Sequence, residues 1–181
     1  MIILIDMDGV IANFEKGFLD NYRKQHPDKY YVPLEKRTVF HTKNQYPKEL
    51  RPIVESVYQA PGFYLSLPVI EGSIEAMLEI SKKHDVFICT SPLSKYENCV
   101  LEKYKWVEKN LGKEWVRKII VAKDKTLVSG GRLIDDNPEI TGVKIPEWEH
   151  IIYDQPYNRL VNSKRRINWN NWKTVLKELL S

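Results

Sequence analysis

Apolar residues along this chain follow two rhythms. Short runs with little polar interruption fall at 2–5, 86–89, 118–121, 133–134 and 150–153. Runs this brief, rich in β-branched side chains, predict strands buried on both faces, as in parallel sheets. Between them the spacing changes to that of helices. Residues 73–83 place Ile74, Met77, Leu78 and Ser81 along one face, directly after Gly72. Residues 96–111 do the same with Val100, Tyr104, Val107 and Leu111, and 170–180 with Trp172, Val175, Leu176 and Leu179. Strands that alternate with helices predict an α/β fold with a mostly parallel, Rossmann-like sheet.

One stretch breaks the alternation. Residues 13–68 are rich in aromatics, among them Phe14, Phe18, Tyr22, Phe40, Tyr58, Phe63 and Tyr64. Pro27, Pro33, Pro47, Pro52 and Pro61 keep its helices short. The expected organisation is a core of residues 1–13 and 69–181, with a small helical insertion, 14–68, after the first strand.

Composition narrows the class. With 181 residues, 43% hydrophobic and 29% charged, the chain suits one soluble domain carrying an insertion. A net charge of +4 suits an anionic small molecule. The basic residues form no long stripe, so no stable nucleic-acid partner is expected. Lys164-Arg165-Arg166 reads as solvated surface. Cys89 sits in an apolar run, and neither it nor Cys99 belongs to a metal or disulfide spacing, which fits a reducing compartment. The apolar start ends at Asp6, too soon for a signal peptide, and no run nears the ~20 residues of a membrane span. A cytoplasmic location is expected, without membrane association; a homodimer is compatible with the sequence.

Candidate chemistry lies at the strand ends, where open parallel sheets bind ligands. Asp6-Met7-Asp8-Gly9 follows the first strand. Two carboxylates this close repel unless a cation or shared proton intervenes, and hard oxygen ligands call for Mg²⁺. Thr90-Ser91 follows the second strand, and its hydroxyls could hold phosphate oxygens. Lys123 and Lys125 follow the third, where a cation would neutralise phosphate and carboxylate together. Asp135-Asp136 follows the fourth and suits one direct metal ligand with one supporting acid. Taken singly, these residues also read as helix caps or surface charge. In order, at successive strand ends, they converge on phosphoryl transfer.

The order Asp6-x-Asp8-Gly9-Val10, Thr90, Lys125, Asp135-Asp136 resembles the four motifs of the haloacid dehalogenase superfamily. Longer strings resemble the 5′(3′)-deoxyribonucleotidases within it. They include Phe87-Ile88-Cys89-Thr90-Ser91-Pro92, Glu102-Lys103-Tyr104-x-Trp106-Val107-Glu108, Val57-Tyr58-x-Ala60-Pro61-Gly62-Phe63 and Trp148-Glu149-His150. The resemblance implies a haloacid-dehalogenase-type core with a helical cap. It implies Asp6 as nucleophile, forming an aspartyl-phosphate, and Asp8 as general acid/base. Thr90 and Lys125, with Ser91 and Lys123 as further candidates, would bind phosphate. Asp6, the Asp8 carbonyl and Asp136 would hold Mg²⁺, with Asp135 in support. Phe14, Phe40, His41 and Tyr64 would meet the base or sugar of a nucleoside monophosphate. His41 and Lys123 depart from residues common in the family, which leaves base and sugar preference open. The alternatives are a phosphatase for another small phosphomonoester, such as a sugar phosphate, and a nucleic-acid-binding or end-processing module.

Overall fold

The computed structural model describes residues 1–180; residue 181, the last of the expected core, lies outside them. Six strands form one sheet: β1 (Ile2–Ile5), β2 (Asp85–Thr90), β3 (Ile119–Val121), β4 (Arg132–Asp135), β5 (Glu149–Tyr153) and β6 (Arg166–Ile167). Their spatial order is β3-β2-β1-β4-β5-β6, and all pairings are parallel. β1 therefore lies between β2 and β4, where the winding reverses. In such sheets a crevice opens at this point beyond the carboxyl ends. The unbroken apolar run of β1 has a direct cause. Ile3 and Ile5 face the larger core cluster, while Leu4 packs with Cys89, Leu133 and Trp148 on the opposite face.

The helices of the sheet unit are α3 (Ser73–Ile80), α4 (Cys99–Leu111), α5 (Lys113–Val116) and α6 (Trp172–Val175). α1 (Phe14–Gln25) and α2 (Arg51–Tyr58) belong to the stretch after β1, together with short 3-10 turns at Leu34–Lys36, Thr42–Gln45, Lys48–Leu50 and Tyr64–Ser66. Asn13 caps α1 by accepting from the Lys16 N–H at 3.1 Å. Pro33 and Pro47 start two of the 3-10 turns, and Pro52 sits in the first turn of α2, positions that need no N–H donor. The stretch leaves and rejoins the core at neighbouring residues: Asn13 N donates to Pro68 O at 2.7 Å and Ile70 N to Ile11 O at 2.8 Å. Its rings, Phe18, Tyr22, Tyr46, Tyr58 and Phe63 among them, join the same hydrophobic cluster as Ile3 and Ile5.

Three features differ from the sequence expectation. The tail expected as one helix over 170–180 breaks into α6 and a 3-10 turn at Lys177–Leu179, with Leu176 fully buried between them. His84 Nε2 and Lys83 Nζ meet the carbonyls of Leu179 and Leu180 there. α5 and β6 were not expected. The third is that the basic run 164–166, whose last residue opens β6, is paired and half-buried. Lys164 Nζ donates to Pro138 O at 2.8 Å, Arg165 holds Glu149, and Arg166 holds Asp154 and Asn158. Charge in sequence looks like surface; here opposite charges across the sheet edge absorb it. Among the described residues no helix is long and apolar enough to cross a membrane.

Candidate active site

The carboxyl ends of β1, β2 and β4 meet at a cluster of ionisable side chains. Asp6 leaves β1 with its N–H donating to Ile134 O of β4 at 2.9 Å. The chain then turns tightly, with the N–H groups of Ile11 and Ala12 donating to Met7 O at 3.0 and 2.9 Å. Gly9 makes the turn at φ 78°, a region L residues avoid. It also makes room, because a Cβ at this position would fall inside the van der Waals envelope of Asp136 Oδ2.

Asp6, Asp135 and Asp136 are all buried, and oxygens of the three lie within 4.8 Å of one another. Burial raises the pKa of Asp6, and Lys125 opposes that rise. Lys125 Nζ sits 2.7 Å from Asp6 Oδ1 and 2.5 Å from Asp135 Oδ2. Burial and then Asp135 and Asp6 push Asp136 well above the usual carboxylate range. The two adjacent acids are engaged differently. Asp135 spends one oxygen on Lys125 and accepts the Asn137 N–H on the other at 2.9 Å. Asp136 Oδ2 accepts from the Tyr157 hydroxyl, while its Oδ1 is buried with no protein partner. An unpartnered buried carboxylate oxygen beside two more acids fits a hard cation such as Mg²⁺.

Asp8 has its own lysine. Lys103, on α4, is buried and aims its ammonium at Asp8 Oδ2 (2.6 Å), Thr90 Oγ1 (2.7 Å) and Ser91 O (3.1 Å). Burial raises the pKa of Asp8, and Lys103 is the strongest opposing influence. The sequence reading did not assign Lys103 a role. A signal existed: it lies four residues after Cys99 and four before Val107, within the buried stripe of α4. An unpaired lysine is not tolerated there. Its neighbour Glu102 faces the returning end of the 14–68 stretch, accepting the N–H groups of Gly62 (2.7 Å) and Tyr64 (3.1 Å) and the Tyr96 hydroxyl.

A cavity of about 670 Å³ opens above this cluster. Asp6, Asp8, Thr90, Ser91, Lys123, Lys125, Asp135 and Asp136 border it, as do Phe14, Phe40, His41 and Tyr64 from the other side. Every residue singled out in the sequence thus lies on one cavity, with different degrees of engagement. The Ser91 hydroxyl donates to Ala122 O at 2.8 Å, which ties β2 to the loop after β3. Lys123 and His41 are exposed at the rim. Phe14 packs edge-on to Phe63 at 5.4 Å, and Tyr64 lies 5.3 Å from Lys103 Nζ. Tyr157 and Glu15, which the sequence reading did not single out, also line the wall; Glu15 pairs with the buried Arg37.

A parallel sheet with acids at the ends of β1 and β4 and a lysine after β3 defines a haloacid-dehalogenase-type hydrolase. The fold agrees: the "putative HAD-hydrolase YfnB" of Bacillus subtilis, solved with magnesium bound, superposes with a TM-score of 0.60 over 97% of each chain at 13% identity. The family model for "5′ nucleotidase, deoxy (Pyrimidine), cytosolic type C protein" matches residues 1–180, and the chain belongs to that family of phosphoric monoester hydrolases. The human cytosolic-type 5′(3′)-deoxyribonucleotidase is 46% identical, over 96% of this chain and 92% of its own. A Bordetella pertussis protein named "Putative 5′(3′)-deoxyribonucleotidase" is 50% identical, over 97% of this chain and 95% of its own.

The Gly9 geometry makes a direct prediction. Gly9→Ala is expected to lower the unfolding free energy by at least about 1–2 kcal/mol, the cost of a left-handed alanine before any clash with Asp136. Urea titration of the purified variant measures it. Parent-like stability would mean that the turn does not require glycine.

Proposed function

We propose that this protein is a Mg²⁺-dependent 5′(3′)-deoxyribonucleotidase, hydrolysing nucleoside monophosphates through an aspartyl-phosphate on Asp6. The observation that carries the reading is the shared cavity: aromatic rings of the 14–68 stretch face the Asp6–Asp8 pair across a space suited to a nucleotide. The names of the relatives point the same way. On this reading residues 14–68 are a cap, and 1–13 with 69–181 are the catalytic core.

In the first step an Asp6 carboxylate oxygen attacks phosphorus, and the bond from phosphorus to the nucleoside oxygen breaks. Asp8, kept in place by Lys103, gives its proton to that leaving oxygen. In the second step Asp8 takes a proton from water as the water oxygen attacks the acyl phosphate, which frees inorganic phosphate and restores Asp6. Lys125 holds the nucleophile in position through Asp6 and Asp135. Thr90 and Lys125, which line the cavity, would bind the phosphoryl oxygens, Lys125 offsetting their charge, with Ser91 and Lys123 towards the rim. Asp6, the Asp8 backbone carbonyl and Asp136 would hold magnesium, with Asp135 in support; once bound, it supplies charge neutralisation that lets an anion attack an anion. Phe14, Phe40, His41 and Tyr64 would enclose the base and sugar, where stacking and apolar contact favour a nucleotide over a bare sugar phosphate.

Phosphate release from a panel of phosphomonoesters with Mg²⁺ tests substrate class. Deoxyribonucleoside monophosphates such as dUMP and dTMP should lead in kcat/KM; equal turnover of sugar phosphates would reject the nucleotidase assignment. Asp6→Asn should lose at least about 10³-fold in kcat, and near-normal turnover would remove Asp6 as nucleophile. Lys103→Met should cost about 10²-fold in kcat/KM, because the proposed acid/base Asp8 loses the partner that positions it. A loss below threefold would show that Lys103 only fills space.

A further inference from the structure

Resting on the metal reading above, we propose that Tyr157 is a positioning residue for the metal site: its hydroxyl fixes Asp136 so that one carboxylate oxygen faces the metal. No motif in the sequence pointed to it. It lies after β5, in the turn Pro156–Asn158, far along the chain from Asp6 and Asp8.

The two oxygens of Asp136 are engaged unequally. Oδ2 accepts from Tyr157, and Oδ1 is buried without a protein partner. A carboxylate tied at one oxygen cannot rotate freely, so the free oxygen is presented in one direction. The main chain of the same residue is held too, because Asn158 Nδ2 donates to Asp136 O at 2.8 Å. Gln155 Nε2 donates to Gly9 O at 2.7 Å, so this one turn also grips the loop that carries Asp8. Residues 155–158 thus fasten the two loops that would supply the metal ligands.

The turn is itself anchored. Arg166 of β6 donates to Asn158 Oδ1 at 2.6 Å and to Asn158 O at 2.9 Å. The Tyr157 ring has little freedom: Arg37 lies 5.7 Å from its centroid and the Phe40 ring 5.8 Å away. Only 6% of the residue is exposed. Partners of this kind commonly change metal affinity by about 10–100-fold when removed, because an unrestrained ligand must be ordered on binding.

Phenylalanine fills nearly the same volume, so Tyr157→Phe removes the donor and little else. Mn²⁺ is the probe, its binding followed by electron paramagnetic resonance without nucleotide, so substrate recognition does not enter. The expected result is a Kd raised about tenfold or more in Tyr157→Phe, with Tyr157→His, which retains an N–H donor, closer to the parent. Parent-like Mn²⁺ affinity in a folded Tyr157→Phe variant would overturn the proposal while leaving the metal reading intact. Equal losses in both variants would overturn the donor assignment in favour of ring packing. A parent protein that binds no Mn²⁺ would overturn the metal reading and this inference together. Should Tyr157→Phe fail to show cooperative unfolding, Tyr157→His decides alone: a Kd within about threefold of the parent supports the proposal and a tenfold loss overturns it.

Discussion

Three buried acids cannot share one corner of a sheet as bare anions. Two like charges about 4 Å apart repel by about 4 kcal/mol even at an effective dielectric near 20. Asp6, Asp135 and Asp136 stand under that constraint, and the neighbouring structure answers it. Lys125 bridges Asp6 and Asp135. Asn137 caps the second oxygen of Asp135, and Tyr157 takes one oxygen of Asp136. What stays uncompensated is the free oxygen of Asp136, buried without a hydrogen-bond partner. The cation that the proposed reaction would need would meet a carboxylate oxygen that the protein's own donors do not reach.

Much of this arrangement was legible in the chain before any coordinates. Apolar runs without alternation located β1 to β5, because strands covered on both faces read that way. Parallel topology then put the residues after them on one edge, so the order of Asp6, Thr90, Lys125 and Asp135 carried spatial meaning. The remainder was hidden for identifiable reasons. β6 is two residues long and set in a basic run, and its strand character comes from pairing with β5 and from the acids Asp154 and Glu149. The tail breaks at Leu176, where the next turn is held by contacts from His84 and Lys83, far away in the chain, to the carbonyls of Leu179 and Leu180. Tyr157 depends on a long-range turn that leaves no local pattern. Lys103 differs from these: a charged residue on the apolar stripe of α4 was visible, but the residue it neutralises lies 95 positions away.

α4 links the two halves of the cavity through adjacent side chains. Lys103 grips the proposed acid/base, and Glu102 grips the backbone at Gly62 and Tyr64, where the helical stretch returns. The aromatic wall and the acidic floor are thereby referenced to one rigid element. A second buried pair, Glu15 and Arg37, joins α1 to the loop before the 3-10 turn at Thr42–Gln45, with Arg37 resting against Tyr157. Buried polar groups of this sort add little net stability but penalise every misaligned arrangement, because displacement leaves them unpaired.

The place where the helical stretch departs and returns has a consequence for how such a protein can change. Asn13 and Pro68 are hydrogen-bonded neighbours, as are Ile11 and Ile70. An excursion pinned at adjacent points leaves the strand register to the sheet's own pairings, while its rings share the core cluster of Ile3 and Ile5. On the proposed function, the wall that would choose a substrate enters and leaves at one seam, while the reactive edge beneath it is built by other parts of the chain. Substitutions in such a wall would alter what the cavity admits while leaving the acids at the strand ends in place.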